Sequence, residues 1–288
     1  MDRVIVGVDG SEDANAALRW AAVLAERLGL PLHAISAWQY PADVITEVGR
    51  IELPSPDAMH RDVEARVQRN VADVLGDDAG SVTVEVVRGP TADALLREAR
   101  LGARILVVGS RGRGGFPGLV LGSVSRQVTD HAPCPVTVVR ASGERRPARL
   151  DRIAVGVDGS AHGRRALVFA GEVATATGAA LTVVHATGAR DADNAEDIGP
   201  RIDLDARRDW VGEWCEPLQE AGVEHDISVV RGDPRTAVLD AARADGADLV
   251  VVGSRGRGPV TRLVLGSVAA ALTHDSELPV TVVPTPED

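Results

Sequence analysis

Hydrophobic and polar positions along the chain switch between two periods. A run of apolar residues at Arg3–Val8 has the length and β-branched content of a buried strand. From Ser11 to Leu28 the apolar residues Ala17, Leu18, Ala21, Ala22, Leu24 and Ala25 recur on one helical face, and Gly29 is a stop signal. Pro31–Ala37 predicts a second strand, and 39–56, with Pro41, Pro54 and Pro56, a long loop. Helix over Asp57–Leu75, strand over Ser81–Val87, helix over Thr91–Arg100 and strand over Arg104–Val108 follow. Helix over Gly122–His131 and strand over Pro135–Arg140 complete the unit. Strands alternating with helices predict a parallel, doubly wound sheet with helices on both faces.

The unit then recurs. VGVDGS stands at Val6–Ser11 and Val155–Ser160, VVRG at Val86–Gly89 and Val229–Gly232, and GSRGRG at Gly109–Gly114 and Gly253–Gly258. LVLGSV stands at Leu119–Val124 and Leu263–Val268, and PVTVV at Pro135–Val139 and Pro279–Val283. Matches in the same order mean a tandem duplication, with the second half repeating the order of the first. Polar SGERRPARL at Ser142–Leu150 has linker composition. The predicted domains are 1–141 and 151–288, joined by linker 142–150. PVTVV would be an edge strand in each half, and two identical edges can pair antiparallel about a pseudo-twofold axis.

Composition narrows the chemistry. At 288 residues the chain can build two cores, and with 2% aromatic residues those cores must be aliphatic. A net charge of −11 disfavours a nucleic-acid partner. No apolar run approaches the ~20 residues of a membrane span. MDRVIVGVDGS enters a strand without signal-peptide architecture, so a cytoplasmic protein is expected. Cys134 and Cys215 read as small buried side chains, and Trp210 and Trp214, four apart on a helix, as packing. All 31 basic residues other than histidine are arginine, which excludes Schiff-base chemistry and a phosphate-loop lysine.

The glycine stretch after the fourth strand carries the candidate chemistry. Gly109, Gly112, Gly122 and Ser123 are spaced G-x-x-G, nine residues, G-S; Gly253, Gly256, Gly266 and Ser267 repeat the spacing without change. Glycines at a strand end let backbone N–H groups approach an anion, and the following helix N-terminus favours phosphate. Asp9 and Asp158, in V-D-G-S, also suit a turn before a helix capped by Ser11 or Ser160.

In these motifs the chain resembles the universal stress protein family, in its tandem form, over nearly its whole length. The resemblance implies ATP, with or without Mg2+, in each half; separately, the seven histidines show no ligand spacing and no cysteine pair exists, so no metal site of the protein's own is expected. It places Asp9 and Asp158 beside adenine and ribose, with Gly7 and Gly156 keeping the strand ends open, and backbone at Ala37 and Ala186 against adenine. It assigns ribose and phosphates to Gly109, Ser110, Arg111, Gly112, Arg113, Gly114, Gly122, Ser123 and Val124. Their counterparts are Gly253, Ser254, Arg255, Gly256, Arg257, Gly258, Gly266, Ser267 and Val268. Pro259 in place of Gly115 removes a donor, and with His185 in place of Ser36 the adenine edges need not be equivalent.

A regulatory nucleotide-binding protein with little or no turnover is the expectation, and a slow ATPase of the same fold is the alternative. Neither half pairs the motif with a nucleophile or a general base, so no catalytic residue is assigned. A dehydrogenase is excluded because no G-x-G-x-x-G follows the first strand. A homodimer of tandem chains is expected, and the downstream protein partner is not legible.

Overall fold

The computed structural model describes residues 2–39, 54–114, 121–141, 148–187, 203–256 and 265–285. The first half runs β1 (Arg3–Gly7), α1 (Glu12–Leu28), β2 (Leu32–Trp38), α2 (Pro56–Leu75), β3 (Val82–Arg88), α3 (Thr91–Arg100), β4 (Ala103–Gly109), α4 (Ser123–His131), β5 (Val136–Val139). The second runs β6 (Arg152–Gly156), α5 (Ala161–Thr177), β7 (Ala180–Ala186), α6 (Leu204–Trp214), α7 (Glu216–Glu220), β8 (Asp226–Val230), α8 (Pro234–Ala244), β9 (Leu249–Gly253), α9 (Ser267–Asp275), β10 (Val280–Val283).

All ten strands form one sheet in the order β3-β2-β1-β4-β5-β10-β9-β6-β7-β8. Within each half every pairing is parallel. At the centre β5 and β10 pair antiparallel, with Thr137 opposite Thr281. The two PVTVV edges expected from sequence thus meet about a pseudo-twofold axis. The hydroxyls of Thr137 and Thr281 lie 2.8 Å apart, and neither residue is exposed. Each satisfies the other in a seam that excludes water.

The faces of the sheet differ. On one, a single apolar core runs through both halves, from Leu18, Leu24 and Val67 to Leu167, Phe169 and Leu218. There α1 packs on α5. Arg27 near the end of α1 donates to the Thr177 carbonyl at 2.9 Å and pairs with Asp151 at 2.8 Å. On the other face each half keeps its own core, under α3 and α4 or under α8 and α9.

Local chemistry explains the ends of the elements. Ser11 accepts from Ala14 N at 3.2 Å to cap α1, and Gly29 ends it at φ 63°. Three details differ from the sequence reading. Pro56 starts α2 rather than ending the loop, because its fixed φ suits the first helical position after the Ser55 cap. The counterpart of α2 is broken into α6 and α7, because Pro217 cannot donate into a continuing helix. Leu150, assigned to the linker, is 1% exposed and belongs to the shared core.

Candidate functional site

In the order 3-2-1-4-5 the sheet reverses direction between β1 and β4, the place where doubly wound sheets bind ligands. A cavity of about 440 Å³ opens there on the α3/α4 side. Its walls are Gly7, Val8, Asp9, Ala14, Thr91, Leu95, Val108, Gly109, Arg111 to Gly114 and Gly122 to Ser125. The volume lies within the range of small-molecule sites, about 300–1,000 Å³.

The glycine stretch is held by its own backbone. Ser110 N donates to Val139 O at 2.7 Å, and Gly122 N donates back to Ser110 O at 2.7 Å. The chain thereby leaves β4 and returns at the start of α4, with residues 115–120 outside the described set. Gly122 caps α4 without a side-chain acceptor, and Pro90 does the same for α3. The first N–H groups of both helices are therefore left to water or a ligand beside the cavity. Thr91 and Leu95, on α3, were missed from sequence. The signal was present: a proline cap offers no acceptor of its own.

Asp9 ties two loops together. Its Oδ1 accepts from Ser11 N at 2.9 Å and its Oδ2 from Arg113 N at 3.0 Å. A Cβ on Gly112 would stand 2.6 Å from Asp9 Oδ2, so that glycine is needed for the approach. The Arg113 guanidinium lies over Gly10, whose φ is +77°.

Asp13 was not singled out from sequence and proves central. It is 4% exposed on the first turn of α1. Its carboxylate accepts from Ser110 Oγ at 2.6 Å, Arg111 N at 3.0 Å and Ala141 N at 2.9 Å, with Arg111 Nε at 3.4 Å. The Ser110 hydroxyl assigned to phosphate is therefore turned inward to Asp13. Arg111 lines the cavity but shares its charge with the same carboxylate.

Gly109 also has a different reason from the one expected. A Cβ there would lie 2.7 Å from Ala14 N and from the carbonyl carbon of Asp13. The glycine lets α1 approach β4. Gly7 likewise makes room for Leu95, and Gly156 for Val238 and Val252.

Where it is described, the second half repeats the contacts of Asp9, Gly109, Gly112 and Gly122, but not those of Asp13. Asp158 Oδ1 accepts from Ser160 N at 2.9 Å, and Gly266 N donates to Ser254 O at 2.7 Å. Gly253 abuts His162, Gly256 abuts Asp158, and Gly266 caps α9 without a side-chain acceptor. Ser267 and Val268 open α9, as Ser123 and Val124 open α4. Arg257, Gly258 and Pro259 lie outside the described residues.

Ala37 and Ala186 sit half-buried near the ends of β2 and β7, one strand away from β1 and β6, and Ala37 is not part of the cavity wall. His185 lies on the face of the sheet away from α8 and α9. Alternation along β7 puts Val184 and Ala186 on the α8/α9 face and His185 on the other. Its Nδ1 shares a hydrogen bond with Val157 O at 2.9 Å, and its ring packs edge-on against Trp214 at 5.2 Å and Trp210 at 6.0 Å. The tryptophan pair is packing, as its spacing suggested.

Burial pushes the Cys134 thiol up to about 12 and the Cys215 thiol to about 11, so neither is a nucleophile at neutral pH. Among the described residues no three His, Cys, Asp or Glu side chains gather to hold a metal ion. None of the described helices is long and apolar enough to cross a membrane.

Fold and cavity together define a duplicated, doubly wound α/β protein with a cleft at the switch point of its first half. Residues 1–140 and 149–284 each match the model of the universal stress protein family, and the chain belongs to that family as two tandem domains. It is similar to a universal stress protein of Mycolicibacterium smegmatis, at 32% identity over 97% of this chain and 96% of the relative. A Mycobacterium tuberculosis universal stress protein (strain ATCC 25618 / H37Rv) is also 32% identical, over 97% of this chain and 95% of its own. The crystal structure of a universal stress protein from Archaeoglobus fulgidus DSM 4304 shares the fold, with a TM-score of 0.68 at 23% identity, covering 98% of this chain and 96% of its own.

Proposed function

We infer that each half holds one adenine nucleotide, ATP with or without Mg2+, and that the chain is a regulatory protein with little or no turnover. The carrying observation is the switch-point cavity, where α3 and α4 both present uncapped N-termini above the glycine stretch. Backbone donors and helix dipoles meet phosphate without lysine, which the chain lacks. Val8, Leu95 and Val108 supply an apolar wall for a base. Asp9 has a backbone N–H on each carboxylate oxygen, which suits a fixed hydrogen-bond acceptor for ribose better than a proton-accepting base. A cytoplasmic setting belongs to this reading, as does a homodimer of chains. Such a dimer would use surfaces other than β5 and β10, whose edges are already paired.

The test is calorimetric titration with ATP of the unaltered chain and of Ser123→Asp, Ser267→Asp and the double variant. A carboxylate at the first position of α4 or α9 is compatible with the helix dipole but repels phosphate. Stoichiometry is expected to fall from two to one in each single variant and to none in the double, with folding intact. Two sites retained in the double variant would overturn the proposal, as would no binding by the unaltered chain.

A further inference from the structure

The halves share their glycine geometry but not the residue behind it. In the first, Asp13 collects Ser110 Oγ, Arg111 N–H, the Arg111 guanidinium and Ala141 N–H, at 2.6 to 3.4 Å. Part of the Arg111 charge is thereby neutralised inside the protein. In the second, His162 stands at the equivalent place, two residues after the capping Ser160. A Cβ on Gly253 would lie 2.7 Å from the His162 carbonyl carbon, as one on Gly109 lies 2.7 Å from that of Asp13.

Histidine is a poor substitute for this carboxylate. Neutral imidazole has one acceptor nitrogen, and imidazolium has none. Burial holds the His162 pKa below its ordinary value, helped by the charges of Arg255 and Arg165 and opposed by Asp158. The donors nevertheless persist. Ser254 and Arg255 match Ser110 and Arg111, and Thr285 matches Ala141. Among the described residues Arg255 makes no ion pair. The second half has kept its donors and lost their anion.

We propose that the exchange of Asp13 for His162 sets different phosphate preferences in the two sites. The second site takes the more highly charged nucleotide, with Arg255 meeting the additional phosphate. The first, with Arg111 held by Asp13, favours the less charged one. The proposal rests on the nucleotide-binding reading above. One unneutralised charge about 6 Å from a phosphate, at an effective dielectric of about 40 between a protein surface and bulk water, is worth about tenfold in affinity.

The experiment titrates adenosine 5′-monophosphate and 5′-triphosphate, without Mg2+, into Ser267→Asp to read the first site and into Ser123→Asp to read the second. The triphosphate-to-monophosphate affinity ratio is expected to be about tenfold larger at the second site. His162→Asp, made in the Ser123→Asp background, should bring the second ratio down to the first. Arg255→Gln should do the same without touching His162. Equal ratios at the two sites overturn the proposal and leave nucleotide binding standing, as does a ratio that survives Arg255→Gln. Absence of binding by both nucleotides in the unaltered chain overturns both.

Discussion

Replacing Gly109 by alanine tests whether the first glycine of the motif serves the ligand or the fold. The added methyl would stand 2.7 Å from Ala14 N, 2.7 Å from the Asp13 carbonyl carbon and 2.9 Å from the Asp13 carbonyl oxygen. All three are backbone atoms of the first turn of α1, and no rotamer change can move them. That turn is fixed by the Ser11 cap and the Asp13 hydrogen bonds, and the helix beyond it by Ala17, Leu18 and Ala21, none of them exposed. Opening the contact to ordinary van der Waals distance moves α1 by roughly 0.7 Å or more. Overpacking of this kind costs about 1–3 kcal/mol, and backbone-to-backbone conflict places it near the upper end. At about 2–4 °C per kcal/mol the midpoint should fall on the order of 6–12 °C. Gly114 is the control: a Cβ there meets nothing within 4 Å and its φ is not left-handed, so Gly114→Ala should be neutral or stabilising by up to about 1 kcal/mol. Urea and thermal unfolding followed by circular dichroism, without nucleotide, read both variants. A Gly109→Ala protein within about 0.5 kcal/mol of the unaltered chain would show that the α1–β4 approach does not require this glycine.

Three further outcomes follow from single contacts. Thr137→Val or Thr281→Val should each cost about 1–3 kcal/mol by stranding the other hydroxyl in the seam, whereas the double variant should recover most of the loss; additive losses in a double-mutant cycle would refute this. Asp13→Asn should destabilise the chain by about 2–4 kcal/mol, because whichever way its amide turns the NH2 group faces a backbone donor, the Ala141 N–H or the Arg111 N–H; a cost below about 0.5 kcal/mol, measured by urea unfolding, would refute it. His162, whose folded pKa is lowered by burial and by Arg255 and Arg165 against Asp158, makes stability fall with acidification: the unfolded chain takes the proton first, beginning near its ordinary pKa of about 6.5. His162→Gln should flatten that acid limb of the stability–pH curve, and an unchanged slope below about pH 6.5 would count against it.

The fold was largely legible because its signals are local and occur twice. Alternating apolar runs, serine caps and glycine stops placed the strands and helices, and the duplicated PVTVV at a sheet edge predicted the central antiparallel pair. What escaped depends on a third element that period alone cannot reveal. Asp13 looked like an ordinary acidic residue in a first helical turn, yet its partners Ser110 and Ala141 lie 97 and 128 residues away. Gly109 was recognisable as necessary, but not that α1 backbone rather than ligand made it so. His185 could be read as different from Ser36, but the face it occupies follows from the register of β7 in the sheet. Thr91 enters the cavity because α3 begins beside β4, which a helix prediction does not specify.

The distribution of sameness and difference between the halves follows the two faces of the sheet. Where the halves meet, each must complement its own repeat, so the seam is built from identical strands and one continuous core. On the cavity face the cores are separate, and a change in one half need not be matched in the other. Asp13 against His162 is an unmatched difference on the shared face, at the start of helices that pack together across the seam. With 17 residues, α1 spans about 25 Å, from the Asp13 contacts at the cavity to Arg27 on the Thr177 carbonyl and Asp151. A displacement of α1 caused at the glycine stretch would therefore be felt by α5, whose own first turn carries His162. The two glycine stretches can diverge in chemistry while their supporting helices remain mechanically joined, an arrangement a single-domain unit acquires only by dimerising.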